Sequence, residues 1–365
     1  MKLCFVFILL LILMGLGFSS VAYANSNDRL VLAYYYVWYG DGVHSWNNVV
    51  YEPSLGPYNS NDTRIIDQHV AWAKEARVDG FLVSWWGTND YTDNVTKTMF
   101  ERIKILYPNF KLAIMVEQIV YNGTMRWYVN HNFSDPHYVE AFRGTMLYIV
   151  NNYIKPYQDV YLTWNGKPVI VLYAFIDSNH REDEAYYDSF FNDMKVYIYQ
   201  QTNVTVSFWS LNTLDAECFD VTAMYLPQLQ AKDNPQCPHQ NQNYETRKGV
   251  KVSVVFPGFE KQGYEPIIGR GNGKTYENCW INALKFNPNI IFIVSWNEWY
   301  ESTSIEPAKQ WNKTYLKITK QYVDQVSNFN PYLFQDAILK LGVFIIVTGF
   351  IITIFRRLTV ACIKK

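Results

Sequence analysis

Along the chain, short apolar runs alternate with longer stretches whose apolar residues recur every three to four positions, the two signatures of strand and helix. The apolar runs are Leu30–Trp38, Gly80–Trp85, Lys111–Val116, Pro168–Tyr173, Val204–Trp209, Asp220–Tyr225, Val250–Phe256 and Ile290–Trp296. Most are rich in Val, Ile and aromatics and lack strict alternation, as strands buried on both faces do. The amphipathic stretches between them predict helices over Thr63–Arg77, Asn94–Tyr107, Asp135–Ile154, Glu182–Gln200, Thr275–Phe286 and Thr314–Asn328. Only Leu211–Phe219 is available for a helix between the fifth and sixth runs, and the polar stretch Pro227–Gly249 reads as a long loop. Eight strands alternating with helices predict a parallel (β/α)8 barrel, the TIM-barrel fold. A doubly wound open sheet fits the same strand count.

A barrel works at the C-terminal ends of its strands, and here those ends are aromatic. Trp38 and Tyr39 close the first run, with His44 and Trp46 after them; Trp85 and Trp86 close the second, with Asp90 nearby. Glu117 and Gln118 follow the third, with Tyr121 beyond; Tyr173, Trp209 and Tyr225 close the next three. The seventh leads into Phe256–Glu260 and the eighth into Ser295–Glu301. Sugars present apolar C–H faces and a belt of hydroxyls, which aromatic faces and carboxylates match. Each aromatic taken singly also fits a barrel core; their clustering at one end favours a carbohydrate cleft.

The densest signal is Asn297-Glu298-Trp299-Tyr300-Glu301, which places two carboxylates three residues apart just past the last strand. On a helical turn both would face one way. Glycoside hydrolysis uses such a pair, with one group kept protonated by repulsion and apolar surroundings. A solvated pair at a helix N-terminus has the same spacing.

At these residues the chain resembles a known family. Ser295-Trp296-Asn297-Glu298-Trp299-Tyr300-Glu301-Ser302-Thr303-Ser304-Ile305-Glu306-Pro307 is similar to the S-F-N-E-W-x-E-x-T-x-I-E-P signature of glycoside hydrolase family 99, the endo-α-1,2-mannosidase family, or of a family-99-like domain. Pro257-Gly258-Phe259, the stretch holding Arg270, Gly273, Tyr276, Trp280 and Ala283-Leu284, and Lys167-Pro168-Val169 extend the likeness upstream. The resemblance implies a (β/α)8 fold without metal or other cofactor, and retaining cleavage of α-mannosidic linkages within a glycan. It implies that Glu298 deprotonates the sugar 2-hydroxyl, which attacks C1, while Glu301 is the general acid/base. Substrate contacts are expected from Glu117, Tyr121, Trp38, Tyr39, Trp46, Trp85, Trp86, Tyr173, Tyr225, Arg270, Asn297 and Trp299. The family's H-x-E-P-Y-x-G-R segment appears as Val116–Gly123, keeping Glu117, Tyr121 and Gly123 but not the histidine, proline or arginine. Tyr300 stands where the family often has histidine. Competing readings are a carbohydrate-binding surface protein without catalysis and a glycan-transferring enzyme on the same barrel.

The two ends predict export and anchoring. Lys2, the apolar run Leu3–Phe18 and Ala22-Tyr23-Ala24 form a secretory signal over residues 1–24. The hydrolase-like domain then spans 25–330, a linker 331–336, a membrane helix 337–355 and a basic cytoplasmic tail 356–365. The apolar stretch from Ala337 to Phe355 carries one charge, Lys340, and matches the ~20 residues that cross a bilayer. Arg356, Arg357, Lys364 and Lys365 place the tail inside and the domain outside, extracellular or lumenal, in single-pass type I topology. Sequons begin at Asn61, Asn94, Asn122, Asn132, Asn203 and Asn312, as a glycoprotein requires. The formal net charge of −1 argues against a nucleic-acid partner, leaving a glycan or polysaccharide and the membrane. The histidines are scattered and no metal site is expected. Cys218, Cys237 and Cys279 leave the disulfide pairing open.

Overall fold

The computed structural model describes residues 29–42, 44, 46–121, 124–126, 131–225, 242–265 and 267–328. The signal, linker, membrane helix and tail expected from the sequence lie outside these residues, as do Cys237 and Asn122. Among the described residues, no helix is long and apolar enough to cross a membrane.

Among the described residues eight strands run parallel: β1 Leu30–Tyr35, β2 Gly80–Trp85, β3 Lys111–Val116, β4 Lys167–Tyr173, β5 Ser207–Leu211, β6 Val221–Ala223, β7 Lys251–Val255 and β8 Ile290–Ile293. Neighbours in sequence pair in order from β1 to β6, β7 pairs with β8, and β8 returns to β1 in the register Leu30↔Ile290. That last pairing makes the strand order circular, and β6 lies against β7 across the remaining gap, which closes a barrel rather than leaving an open sheet. Among the described residues no ladder joins β6 to β7. Instead Asn243–Glu245 runs antiparallel along β7, pairing Asn243 with Ser253 and Glu245 with Lys251. β2 and β8 are buried along their whole length, which explains why their sequences show no alternation: one face fills the barrel and the other meets helices.

Among the described residues six α-helices pack outside: α1 Thr63–Glu75, α2 Tyr91–Leu106, α3 Pro136–Ile149, α4 Glu184–Thr202, α5 Lys274–Phe286 and α6 Thr314–Asn328. The first four start on aspartates. Asp62, Asp90, Asp135 and Asp183 accept from the backbone N–H groups of Arg64, Thr92, His137 and Tyr186, satisfying donors the helix cannot. The Asp90 cap starts α2 at Tyr91 rather than at Asn94. Asn203 and Asn287 end α4 and α5 in the left-handed region, where asparagine tolerates positive φ. Leu211–Phe219 holds the end of β5 and then bends and turns, with no helix. At Gly80 a Cβ would stand 2.3 Å from the Lys111 carbonyl oxygen, so only glycine lets β2 and β3 approach.

Asn61, Asn94, Asn132, Asn203 and Asn312 are all exposed. Cys218 and Cys279 are buried, and burial raises both thiol pKa values, that of Cys279 to about 12.

Candidate active site

At the C-terminal mouth of the barrel lies a cavity of about 270 Å³ lined by Tyr36, Trp38, His44, Trp86, Glu117, Tyr173, Tyr225, Lys261, Glu298, Tyr300 and Glu301. Strand alternation decides which aromatics reach it. Successive side chains point to opposite faces, so Tyr36 and Trp38 face in while Tyr39 turns away. Trp86 faces in likewise, whereas Trp85 turns out and donates its indole N–H to Asp93 Oδ1 at 2.9 Å.

The eighth strand leads into a closed loop rather than a helix. Ser295 N–H donates to the Thr303 carbonyl at 2.8 Å, Ile305 N–H to Ser295 O at 3.0 Å and Glu306 N–H to Trp296 O at 2.9 Å. Within this frame Glu298–Ser302 form a tight turn. Glu298 N–H donates to Ser295 Oγ at 2.8 Å, and Glu298 Oε1 accepts from the N–H groups of Tyr300 at 2.9 Å and Glu301 at 3.4 Å. Both carboxylates therefore meet one cavity from one turn, without the helix that the solvated-pair alternative requires.

Three glutamates share this small space. Burial raises the Glu298 pKa well above the usual carboxylate range, and the Glu301 charge adds to the rise. Burial raises Glu301 too, opposed by Lys261, whose Nζ stands 3.5 Å from Glu301 Oε1. Glu117, at the end of β3, is pushed up to about 7 by burial and by Glu301; Ser84 and Trp86, turned toward it, pull the other way. Like charges in a dry site cannot all ionise, so the cluster keeps a proton near neutral pH.

Of the residues expected to contact substrate, Glu117, Trp38, Trp86, Tyr173 and Tyr225 line the cavity with Glu298 and Glu301. Trp85, Tyr39, Trp46, Arg270, Asn297 and Trp299 do not line it. Apart from Trp85, which faces the helices, they form a layer that holds the wall. Asn297 clamps the end of β1, its Oδ1 accepting from Tyr36 N–H and its Nδ2 donating to Tyr36 O, each at 2.8 Å. The Tyr39 hydroxyl donates to Asn297 O at 2.9 Å and accepts from Trp299 N–H at 3.0 Å, with Trp46 stacked on its ring at 4.3 Å. Trp299 donates to Glu306 Oε2 at 3.0 Å. Glu306 in turn pairs with His69 at 3.0 Å, both fully buried. Arg270 lies over the Trp311 ring at 3.9 Å and donates to the carbonyls of Ser302 and Ser304 at 2.8 Å each. Its charge is spent on shaping the loop. Tyr121 ends a short hairpin strand, Ile119–Tyr121, paired with Thr124–Arg126; its side chain lies outside the described residues.

The sequence pattern does not single out Tyr36 or Lys261, and it sets His44 and Tyr300 at the rim without a role. Alternation back from Trp38 would have found Tyr36, whose hydroxyl bonds that of Tyr225. His44 is held by Asp41, Nδ1 to Oδ2 at 2.5 Å, and stacks on Trp38 at 4.7 Å. Nothing local marks Lys261, which reaches the site from the loop after β7.

Comparison with known proteins narrows the reading. A mouse (Mus musculus) glycoprotein endo-alpha-1,2-mannosidase-like protein is 25% identical over 70% of this chain and 57% of its own length. A glycoprotein endo-alpha-1,2-mannosidase of Xenopus laevis is 23% identical over 70% of this chain and 58% of its own. The chain thus spans less than two thirds of either relative. The GH99 endo-alpha-mannosidase from Bacteroides thetaiotaomicron superposes with a TM-score of 0.60 at 22% identity, covering 82% of this chain and 97% of that one. This chain is similar to the family 99 endo-α-mannosidases in sequence and shares their fold. The family model described as Glycosyltransferase WbsX matches residues 274–319, a segment that runs from α5 through the acid-pair loop into α6 and includes Glu298, Glu301 and Glu306.

Proposed function

We propose that this protein is a retaining endo-α-mannosidase-like glycoside hydrolase that cleaves within a glycan. The observation that carries the reading is the convergence of Glu298 and Glu301 on one aromatic-walled cavity at the barrel mouth. In the first step the sugar 2-hydroxyl gives its proton to Glu298, and its oxygen attacks C1. The C1–O bond to the leaving sugar breaks, and that oxygen takes the proton of Glu301. In the second step Glu301 removes a proton from water, whose oxygen attacks C1. The C1–O2 bond of the anhydro sugar opens and O2 recovers its proton from Glu298. Two inversions at C1 give net retention, by substrate assistance rather than a glycosyl-enzyme intermediate. The aromatic wall of Trp38, Trp86, Tyr173 and Tyr300 covers sugar C–H faces. Glu117, raised to about 7, is half protonated near neutrality and serves as hydrogen-bond donor or acceptor to a hydroxyl.

The test is a pair of substitutions. Glu301→Gln abolishes turnover of natural glycans and partly spares substrates whose leaving group needs no proton. Glu298→Gln abolishes both, with fold and glycan binding intact. Full activity on an unactivated glycan in either variant refutes the assignment. The match to a glycosyltransferase family model favours a second reading, transfer to a sugar acceptor in place of water. Product analysis with and without acceptor oligosaccharide separates the two, and binding without any cleavage points to a carbohydrate-binding protein. We further propose export by residues 1–24 and tethering by the 337–355 segment, with the catalytic domain on the extracellular or lumenal side. Detergent extraction of the full chain and protease protection of its tail in sealed vesicles test the topology.

A further inference from the structure

The loop after β7 touches the acid pair at two points. Glu260 N–H donates to the Glu301 carbonyl at 3.0 Å, and the Lys261 ammonium stands 3.5 Å from Glu301 Oε1. The loop is held in place for this. Phe259 and Ile268 pair across its base, with N–H to O distances of 2.9 and 2.8 Å, and Tyr51 O–H donates to Glu260 Oε2 at 3.0 Å. The Lys261 ammonium also lies 5.2 Å from the centre of the Tyr264 ring. Among the described residues lining the cavity, Lys261 is the one lysine or arginine, set among three carboxylates. Glu301 Oε2, in contrast, is buried and has no hydrogen-bond partner among the described residues.

We propose that Lys261 is a positioning residue that holds Glu301 by Oε1 and leaves Oε2 as the oxygen that gives and takes the proton. This rests on the hydrolase reading and adds a residue to it. Its chemical sense is that one group must act first as acid and then as base. Such a group works best when it holds its proton with intermediate strength. Burial alone would lock the proton on Glu301, and a cation at one oxygen offsets that. The other titratable groups that line the cavity with Glu301 are Glu298 and Tyr300 on its own turn, Glu117 after β3, Tyr36 and His44 after β1, Tyr173 at the end of β4 and Tyr225 after β6. None of them is a lysine or arginine, and the His44 ring is engaged by Asp41 through Nδ1.

The experiment compares Lys261→Met and Lys261→Arg in the full chain. Removing the cation raises the Glu301 pKa by about one unit. The alkaline limb of kcat/KM on an unactivated α-mannan oligosaccharide, where the acid loses its proton, then moves up by about one pH unit. On an aryl α-glycoside, whose departure needs little acid help, kcat at a pH below the raised pKa falls because a smaller fraction of Glu301 is ionised and able to take the proton from water. The arginine variant restores both profiles. The second readout needs no turnover: ¹³C-carboxyl glutamate labelling, with the Glu301 resonance assigned by its loss in Glu301→Gln, gives the titration midpoint directly. An unmoved midpoint in folded Lys261→Met overturns the proposal. A shifted midpoint in a protein that hydrolyses no glycan supports the positioning while refuting the hydrolase reading.

Discussion

Glu117 makes the site's cost to stability measurable. The residue is 6% exposed and its carboxyl pKa is raised from 4.5 to about 7. Below pH 4.5 it is protonated in both folded and unfolded chains and costs nothing. Between pH 4.5 and 7 the unfolded chain releases the proton while the folded one keeps it, so stability falls as pH rises. Above pH 7 the loss is complete and constant. A difference of that size corresponds to roughly 3 kcal/mol. Glu117→Gln keeps the shape and lacks the titration, so it recovers that amount at pH 8 and nothing at pH 4. Removing a charge that repels Glu301 acts in the same direction. For a domain of this size about 2 °C accompanies each kcal/mol, which predicts a Tm gain of about 6 °C at pH 8. The assay is thermal unfolding of both proteins from pH 4 to pH 9. A Tm difference that is flat with pH, or a variant less stable at pH 8, refutes the argument. Glycan binding should weaken in the same variant, the usual trade between stability and function.

Two further substitutions probe the frame around the acid pair. Arg270→Met leaves the carbonyls of Ser302 and Ser304 without their donor; the expected loss is about 2–4 kcal/mol in urea unfolding, with activity falling as the loop loosens. At Gly258 an added Cβ would lie 2.7 Å from the Ile268 carbonyl oxygen. Gly258→Ala should therefore cost about 1–3 kcal/mol, with a lower urea midpoint at an unchanged m-value.

The strands, six of the helices and the placing of two carboxylates just past the last strand were legible in the sequence because each leaves a local pattern; the weak helix expected over Leu211–Phe219 is absent. What was not legible followed from direction and distance. Trp85 and Trp86 are adjacent and chemically alike, yet the pleat sends one to the helices and the other to the cavity, a choice set by register. Arg270 and Trp299 lie in a motif that reads as functional. Their chemistry is consumed within the protein, by two carbonyls and by Glu306. Lys261 meets Glu301 across forty residues, and no spacing rule announces such a pair.

The double hydrogen bond between the Asn297 amide and the Tyr36 backbone joins residues 261 positions apart. A growing polypeptide can form its first seven strands and still have neither the acid pair nor the clamp that seats it. That contact cannot form before the last strand exists, and closing so long a loop carries an entropy cost. The arrangement of Glu298 and Glu301, and any hydrolase activity that rests on it, should therefore emerge in one step during synthesis, after β8 has left the ribosome. Stalled shorter chains should be silent, however much of the barrel they have built.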